Sequence, residues 1–388
     1  MKIGIVGARV AGSYAGLLFS RLGHETILFD DAVEKEKPCG GGITAKGLRK
    51  MPWLRQASLP HSKVASICLS TPDGYSSTLK LEHPIRVYPR FSLDTLLRER
   101  AMQSGARLIP ARVKRIHREK SAWAVETADG AIDVEFIVGA DGANSLVRKT
   151  LLEPYSTADI TLAIGYKLPL LRDPNTIRIA YQEKGFIGYI WSFPCIDHVS
   201  VGIGQWLPGA RASNLRRRLD AFIALHHPEV PLEQKPYAAR IPCLSREKLI
   251  QQKVCGENWA LLGDAAGFTD GITAEGIYYA LRSAELLAES LRRTSPLSYE
   301  SAWRAEFMPD LETAAAWRDR FYAGTVLSES FIRRSLQGVK HSRIIQKMLD
   351  SLICGTTSYR SFLRSLVLRS PQILAQAILH KLRSTNYE

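Results

Sequence analysis

KIGIVGARVAGSYAGLLFSRLGHETILFD, Lys2 to Asp30, is the stretch that decides the fold. KIGIVG has the small and branched apolar residues of a buried parallel strand, and it ends on a glycine. GARVAG, Gly7 to Gly12, opens a segment whose apolar residues Ala15, Leu17, Leu18 and Leu22 continue the face of a helix. ETILFD, Glu25 to Asp30, is a second strand that ends on an acid. Strand, helix and strand in this order predict a βαβ unit of Rossmann type.

The residue types suit a dinucleotide. Gly7 permits a tight turn, and Gly12, next to Ala11, lets helix and strand pack closely. The helix start presents free N–H groups and the positive end of its dipole to a pyrophosphate. Asp30, with Asp31 behind it, stands where a carboxylate accepts ribose hydroxyls. Arg9 occupies the place of the usual second glycine. Its side chain either crowds the pyrophosphate or swings toward a phosphate or a flanking carboxylate.

Two later segments repeat one device. FIVGADGANSLVRK, Phe136 to Lys149, and WALLGDAAGFTDGITAEGIYYAL, Trp259 to Leu281, each run a short apolar strand into a glycine-flanked carboxylate, Asp141 and Asp264. Open α/β sheets bind ligands at such strand ends. GARVAG, GADGANS and GDAAG in this order resemble flavoproteins of the p-hydroxybenzoate hydroxylase type, over most of residues 1–290. The resemblance implies FAD, with Gly263 and Asp264 at the ribitol and the backbone of Gly271, Ile272, Ala274, Glu275 and Gly276 at the isoalloxazine. It also matches Arg90, in YPRFSLDTLLRERA, to an arginine preceding the helix beside the cofactor. Local sequence equally allows a surface charge before an amphipathic helix.

KPCGGGIT, Lys37 to Thr44, and YIWSFP, Tyr189 to Pro194, with Gly202 and Gly204 trailing, narrow the likeness. Together they resemble the geranylgeranyl reductase family, flavoenzymes that saturate isolated double bonds of isoprenoid chains. The resemblance implies that Cys39, with Gly40 and Gly41, lies at the flavin edge as the catalytic cysteine. Tyr189, Trp191 and Phe193 alternate as on one strand face, able to wall an apolar tunnel that holds a prenyl chain by area and shape. Read without the flavin motifs, the same face is an aromatic face packed into a core. Arg9, Gly271 (a usual proline) and Ala274 (a usual glycine) depart from the family pattern.

With no second dinucleotide fingerprint, the electrons are expected from NAD(P)H docking transiently or from a reduced carrier such as ferredoxin. The rival activity is a flavin monooxygenase on the same fold. Halogenases of the tryptophan type carry W-x-W-x-I-P and a lysine after the first strand, whereas here Lys37 precedes the Cys-Gly run, which argues against halogenation. A rival of another class is a non-catalytic, FAD-containing protein that binds lipid or a membrane surface.

A chain of 388 residues, 45% apolar and 23% charged, predicts a globular protein of two domains. Its formal charge of +14 suits an anionic bilayer, a phosphorylated substrate, an acidic electron carrier, or a solvated basic surface with no partner. No zinc-ligand spacing or RNA-binding motif accompanies the basic residues, so nucleic acid is not expected, nor is a metal. The amphipathic tail, with Phe362, Leu363, Leu366 and Val367 and then Ile373, Leu374 and Ile378, predicts helices that close the pocket or touch a membrane. Scattered cysteines and the absence of a leader before the first strand predict the cytoplasm, the protein being either soluble or attached peripherally at the inner membrane face.

The expected fold is thus α/β plus β. A discontinuous Rossmann-like FAD-binding domain (residues 1–70, 91–152 and 254–290) carries an inserted, mainly antiparallel β substrate domain (71–90 and 153–253). A C-terminal helical region (295–388) follows.

Overall fold

The computed structural model describes residues 1–169, 175–231, 235–293, 295–326, 328–372 and 376. The chain divides into two compact units, each assembled from three segments. The first contains Met1–Pro38, Arg90–Thr161 and Arg240–Ala315, and the second Cys39–Pro89, Leu162–Ala239 and Ala316–Glu388.

The first unit is built on a six-stranded sheet among the described residues, in the order Cys255–Gly256, Trp259–Leu261, Phe136–Gly139, Lys2–Val6, Glu25–Phe29, Arg107–Ile109. All neighbours run parallel except the short edge strand Cys255–Gly256. Ile3, Ile5, Ile27, Leu28, Ile137 and Val138 are wholly buried, as strands covered on both faces require. The fingerprint helix Val10–Arg21 comes close to the second strand at Gly16, where an added Cβ would lie 3.2 Å from Leu28. Helices Arg90–Gln103 and Ile277–Arg293 belong to the same unit. A small antiparallel sheet, Arg115–Glu119, Ala122–Glu126 and Ala131–Val134, completes it.

The second unit carries an eight-stranded sheet ordered Tyr237–Pro242, Ile160–Pro169, His198–Trp206, Gly188–Pro194, Thr176–Tyr181, Ser62–Ser70, Ser76–Val87, Gly42–Ile43. The pairing is mainly antiparallel, with Thr176–Tyr181 parallel to Ser62–Ser70. Helices Phe331–His341, Arg343–Ile353 and Tyr359–Leu368 follow near the C-terminus. The fold is therefore the expected one: a Rossmann-like domain, an inserted β domain and C-terminal helices.

The boundary expected at residue 70 lies instead at Pro38. Ser62–Ser70 and Ser76–Val87 form a hairpin along most of their length, and the first of them extends the second sheet beside Thr176–Tyr181. At the other end, Ser298–Glu306 and the first half of Met308–Ala323 stay with the first unit, so the helical region does not fall wholly in one unit. Residues Ile373, Leu374 and Ile378 of the expected tail helix lie outside the described residues. Among the described residues no helix is long and apolar enough to cross a membrane. None of their His, Cys, Asp and Glu residues form a group able to hold a metal ion. Among the described residues none of the six cysteines is in a disulfide.

Candidate functional site

In the first unit the fingerprint turn is shaped by two glycines. Gly7 has φ +98, and a Cβ on it would meet the Ala140 carbonyl oxygen at 2.4 Å. A Cβ on Gly12 would lie 1.7 Å from the Gly7 carbonyl oxygen. Arg9, the residue that caps the helix, has φ −97 and ψ −161, an extended conformation open to any side chain. Asp30 holds the turn to the strand end: its carboxylate accepts from the amides of Ala8 (2.7 Å) and Ala32 (2.8 Å). Asp31 is exposed.

Arg90 is the first residue of its helix, not a residue before it, and at 4% exposure it is not a surface charge. One of its terminal nitrogens donates to both Asp94 oxygens, at 3.0 and 3.1 Å, and its main-chain N–H donates to Glu36 at 3.0 Å. Asp94 also lies 4.0 Å from an Arg9 nitrogen. Arg-x-x-x-Asp places both groups on one helix face, a spacing visible in the sequence that went unread.

Asp264 gathers the second half of the flavin set. Ala11 lies beside Gly263, where an added Cβ would fall 3.5 Å from its own, so the fingerprint helix meets the GDAAG turn. Thr269 donates to Asp264 at 3.3 Å, and a Cβ on Gly276 would lie 3.4 Å from the same carboxylate. Lys37 places its ammonium 2.6 Å from the other oxygen, a contact the sequence analysis missed although the lysine opens KPCGGGIT. Tyr155 donates to the carbonyls of Asp264 and Ala265, both at 2.9 Å, and burial pushes its phenol up, which keeps it a donor. Asp141 accepts from Ser145 (2.5 Å) and from the amides of Leu146 (2.6 Å) and Val147 (3.3 Å). Its carboxylate therefore closes its own loop, and burial raises its pKa.

The turn before helix Ile277–Arg293 is organised by Asp270, whose carboxylate accepts from the amides of Ile272 (2.9 Å) and Thr273 (2.8 Å). Its main-chain N–H donates to Glu275, and Ala274 donates back to its carbonyl. Ala274 has φ 56, in the left-handed region where glycine is favoured. Gly271 has no such need: an added Cβ would sit 3.6 Å from the Ala315 Cα, an ordinary contact.

In the second unit the two motifs behind the reductase resemblance come together. Ser200 donates its hydroxyl to the Cys39 carbonyl at 3.1 Å, and Ser200 stands opposite Phe193 in the strand register. The Phe193 ring lies against the glycine run, where Cβ atoms on Gly40 and Gly42 would meet it at 3.1 and 2.9 Å. Gly41 has φ +74 and approaches the Tyr88 carbonyl. The Cys39 thiol accepts from the Gly41 amide at 3.4 Å.

The Gly-x-Gly element has a steric origin in the same register. Trp191 faces Gly202, and a Cβ there would come within 2.2 Å of the indole. Tyr189 faces Gly204. Cross-strand glycines thus give the aromatic rings room to lie over the neighbouring strand. Tyr189, Trp191 and Phe193 stay half-buried, while Ile190, Ser192 and Pro194 between them are buried. The aromatic face also has protein neighbours: Tyr189 joins Tyr181, Phe321 and Tyr322, and Phe193 joins Val64, Ile67 and Val87. The Trp191 indole N–H is buried with no hydrogen-bond partner among the described residues.

The donor set of the first unit fits FAD. A strained glycine turn opens a helix, a carboxylate ends the second strand, and a second carboxylate sits at the GDAAG turn with a hydroxyl and an ammonium beside it. Carboxylates in these places bond ribose and ribitol hydroxyls, and the turn amides face phosphate.

No protein-family model matches the chain. It is 28% identical over 367 residues to geranylgeranyl diphosphate reductase of Synechocystis, covering 86% of this chain and 84% of that protein. It is 27% identical to menaquinone reductase of Mycolicibacterium smegmatis, over 77% of this chain and 78% of that one. Among solved structures, a geranylgeranyl bacteriochlorophyll reductase-like protein from Thermoplasma acidophilum superposes with a TM-score of 0.78. It is 18% identical and covers 97% of this chain and 98% of that one. The chain resembles the geranylgeranyl reductase family of FAD-dependent oxidoreductases. A probable FAD-dependent monooxygenase from Pseudomonas aeruginosa shares the fold, with a TM-score of 0.65 at 19% identity over 88% of this chain and 99% of that one. At that identity the likeness speaks for architecture alone.

Proposed function

We propose that this enzyme reduces carbon–carbon double bonds in the isoprenoid chain of an apolar substrate, with FAD held by the first unit and the chain held by the second. The observation that carries the reading is the meeting of Cys39–Gly42 with Phe193 and Ser200, which joins the two family motifs in one place. Relatives named for a prenyl diphosphate and for a prenylated quinone support the same substrate class.

FAD, when bound and reduced, supplies the hydride for one alkene carbon, and the other carbon takes a proton. Tyr189, Trp191 and Phe193 contribute apolar area, exclude water and offer ring faces to positive charge that develops between the two transfers. Cys39 is the proposed catalytic residue. NAD(P)H or a reduced carrier such as ferredoxin returns two electrons to the flavin.

Anaerobic incubation of dithionite-reduced enzyme with geranylgeranyl diphosphate, a geranylgeranyl lipid and menaquinone, followed by mass spectrometry, tests the reading. The expected result is a gain of two hydrogens per reduced bond, diminished in Cys39→Ala without loss of flavin absorbance. No gain with any prenyl substrate, together with NAD(P)H- and oxygen-dependent hydroxylation of an aromatic, overturns it in favour of a monooxygenase.

A basic corner of the second unit suits attachment to an anionic bilayer. Arg49 donates to the carbonyls of Cys354 (3.1 Å) and Gly355 (3.0 Å), and a Cβ on Gly355 would meet Lys46. The basic helix Ala45–Lys50 therefore adjoins the turn that leads into Tyr359–Leu368, where Arg360, Arg364, Val367 and Leu368 are exposed. Flotation with phosphatidylglycerol vesicles, lost on Arg360→Glu with Arg364→Glu, is the expected behaviour.

A further inference from the structure

We infer that Arg9 is a phosphate-binding residue of this chain, its guanidinium bonding the pyrophosphate of FAD where the usual fingerprint offers only a glycine backbone. The inference rests on the FAD reading above and deepens it.

Three observations support it. The first is conformational. The positive φ of Gly7 and the 1.7 Å approach at Gly12 make those two glycines obligatory for the protein's own backbone. Arg9 sits in extended backbone, so a glycine at this place would serve only the approach of a ligand. The side chain is therefore accommodated without strain, and its effect falls on whatever the turn binds.

The second is electrostatic. Arg9, Arg90 and Arg98 share one neighbourhood around Asp94. The Asp94 carboxylate is already gripped by Arg90 at 3.0 and 3.1 Å, and both oxygens of Asp30 are engaged by the amides of Ala8 and Ala32. The fingerprint helix has no acid in its first turn and no side-chain cap, so its positive end adds to the same field. Arg9 therefore shares its nearest carboxylate with Arg90 and sits at the positive end of a helix, a setting that suits an anion.

The third is an unmet donor. One terminal nitrogen of Arg9, the one 4.0 Å from an Asp94 oxygen, is buried and makes no hydrogen bond among the described residues, although the side chain keeps 26% of its surface. Burial and the neighbouring guanidinium groups lower its pKa, with Asp94 and Asp30 opposing, yet a guanidinium stays charged. A buried charged donor held at ion-pair distance but without a hydrogen bond is only partly satisfied, and a phosphate oxygen supplies a charge-assisted partner.

The test uses the full chain stripped of flavin. Binding of FAD, ADP and riboflavin is measured by calorimetry for the unaltered protein, Arg9→Gly, Arg9→Gln and Arg9→Lys, at low and moderate salt, with melting curves of each flavin-free variant. Arg9→Gly, which rebuilds the usual fingerprint, is expected to bind FAD and ADP about ten- to a hundredfold more weakly, the scale of one charge-assisted hydrogen bond. Its salt dependence is expected to shrink, riboflavin binding to be unchanged, and Arg9→Lys to recover part of the loss. Equal or tighter FAD binding by Arg9→Gly overturns the inference and makes Arg9 an obstruction that glycine relieves. A protein that binds none of the three ligands overturns the FAD reading itself, an outcome distinct from a well-bound FAD indifferent to residue 9.

Discussion

Arg9 and Ala274 both stand where the fingerprint and the family pattern it resembles carry glycine, and their backbones answer the loss differently. Arg9 has φ −97, a conformation that every side chain adopts, whereas Ala274 has φ 56 and holds a left-handed turn against the preference of its Cβ. One glycine is dispensable to the protein and matters only to a ligand. The other is a matter of backbone conformation, and its replacement is paid in stability. A glycine motif therefore mixes two requirements that a pattern of letters does not separate.

The most severe test of that separation is Gly12→Ala. If this glycine is required by packing, a Cβ 1.7 Å from the Gly7 carbonyl oxygen must open the helix from the strand. Denaturant melts should show a loss of about 3 kcal/mol or more, with FAD binding lost alongside. A variant that melts normally would place Gly12 in the ligand-only class with residue 9. Gly202→Ala comes next. The new methyl would fall 2.2 Å from the Trp191 indole, and a loss of about 1–3 kcal/mol is expected. A double-mutant cycle with Trp191→Ala should recover most of it, because the clash leaves with the ring.

The smallest effects concern the turn at residues 270–276. Ala274→Gly should raise stability by about 0.5–1 kcal/mol as the left-handed strain is released. Gly271→Ala, with open space for its methyl, should stay within about 0.5 kcal/mol of the parent in the same melts. If Ala274→Gly is neutral, φ 56 is not a source of strain, and the contrast with Arg9 weakens.

Much of the architecture was legible because it is local. The fingerprint strand, helix and second strand are contiguous, and their periodicity reads directly from Lys2 to Asp30. The alternation in YIWSFP was visible for the same reason. The residues that escaped notice join distant segments. Lys37 meets Asp264 across the sequence, and Ser200 meets Cys39 through strand register and a glycine run. The pairing of Ser62–Ser70 with Thr176–Tyr181 is of the same kind, since nothing local in either segment points to the other. Arg90 was ambiguous because burial of an arginine depends on Asp94 and Glu36 gathering around it.

The strand Gly188–Pro194 has a consequence for which side chains can be resized. Its alternation assigns Ile190, Ser192 and Pro194 to a buried face and Tyr189, Trp191 and Phe193 to a half-open one. Ile190 is locked among Tyr166, Val201 and Leu215, whereas the opposite face tolerates partial exposure. A change at Trp191 would therefore leave the Ile190 cluster in place, whereas Tyr189 and Phe193 each carry packing partners of their own, so the three rings differ in how freely they can be resized.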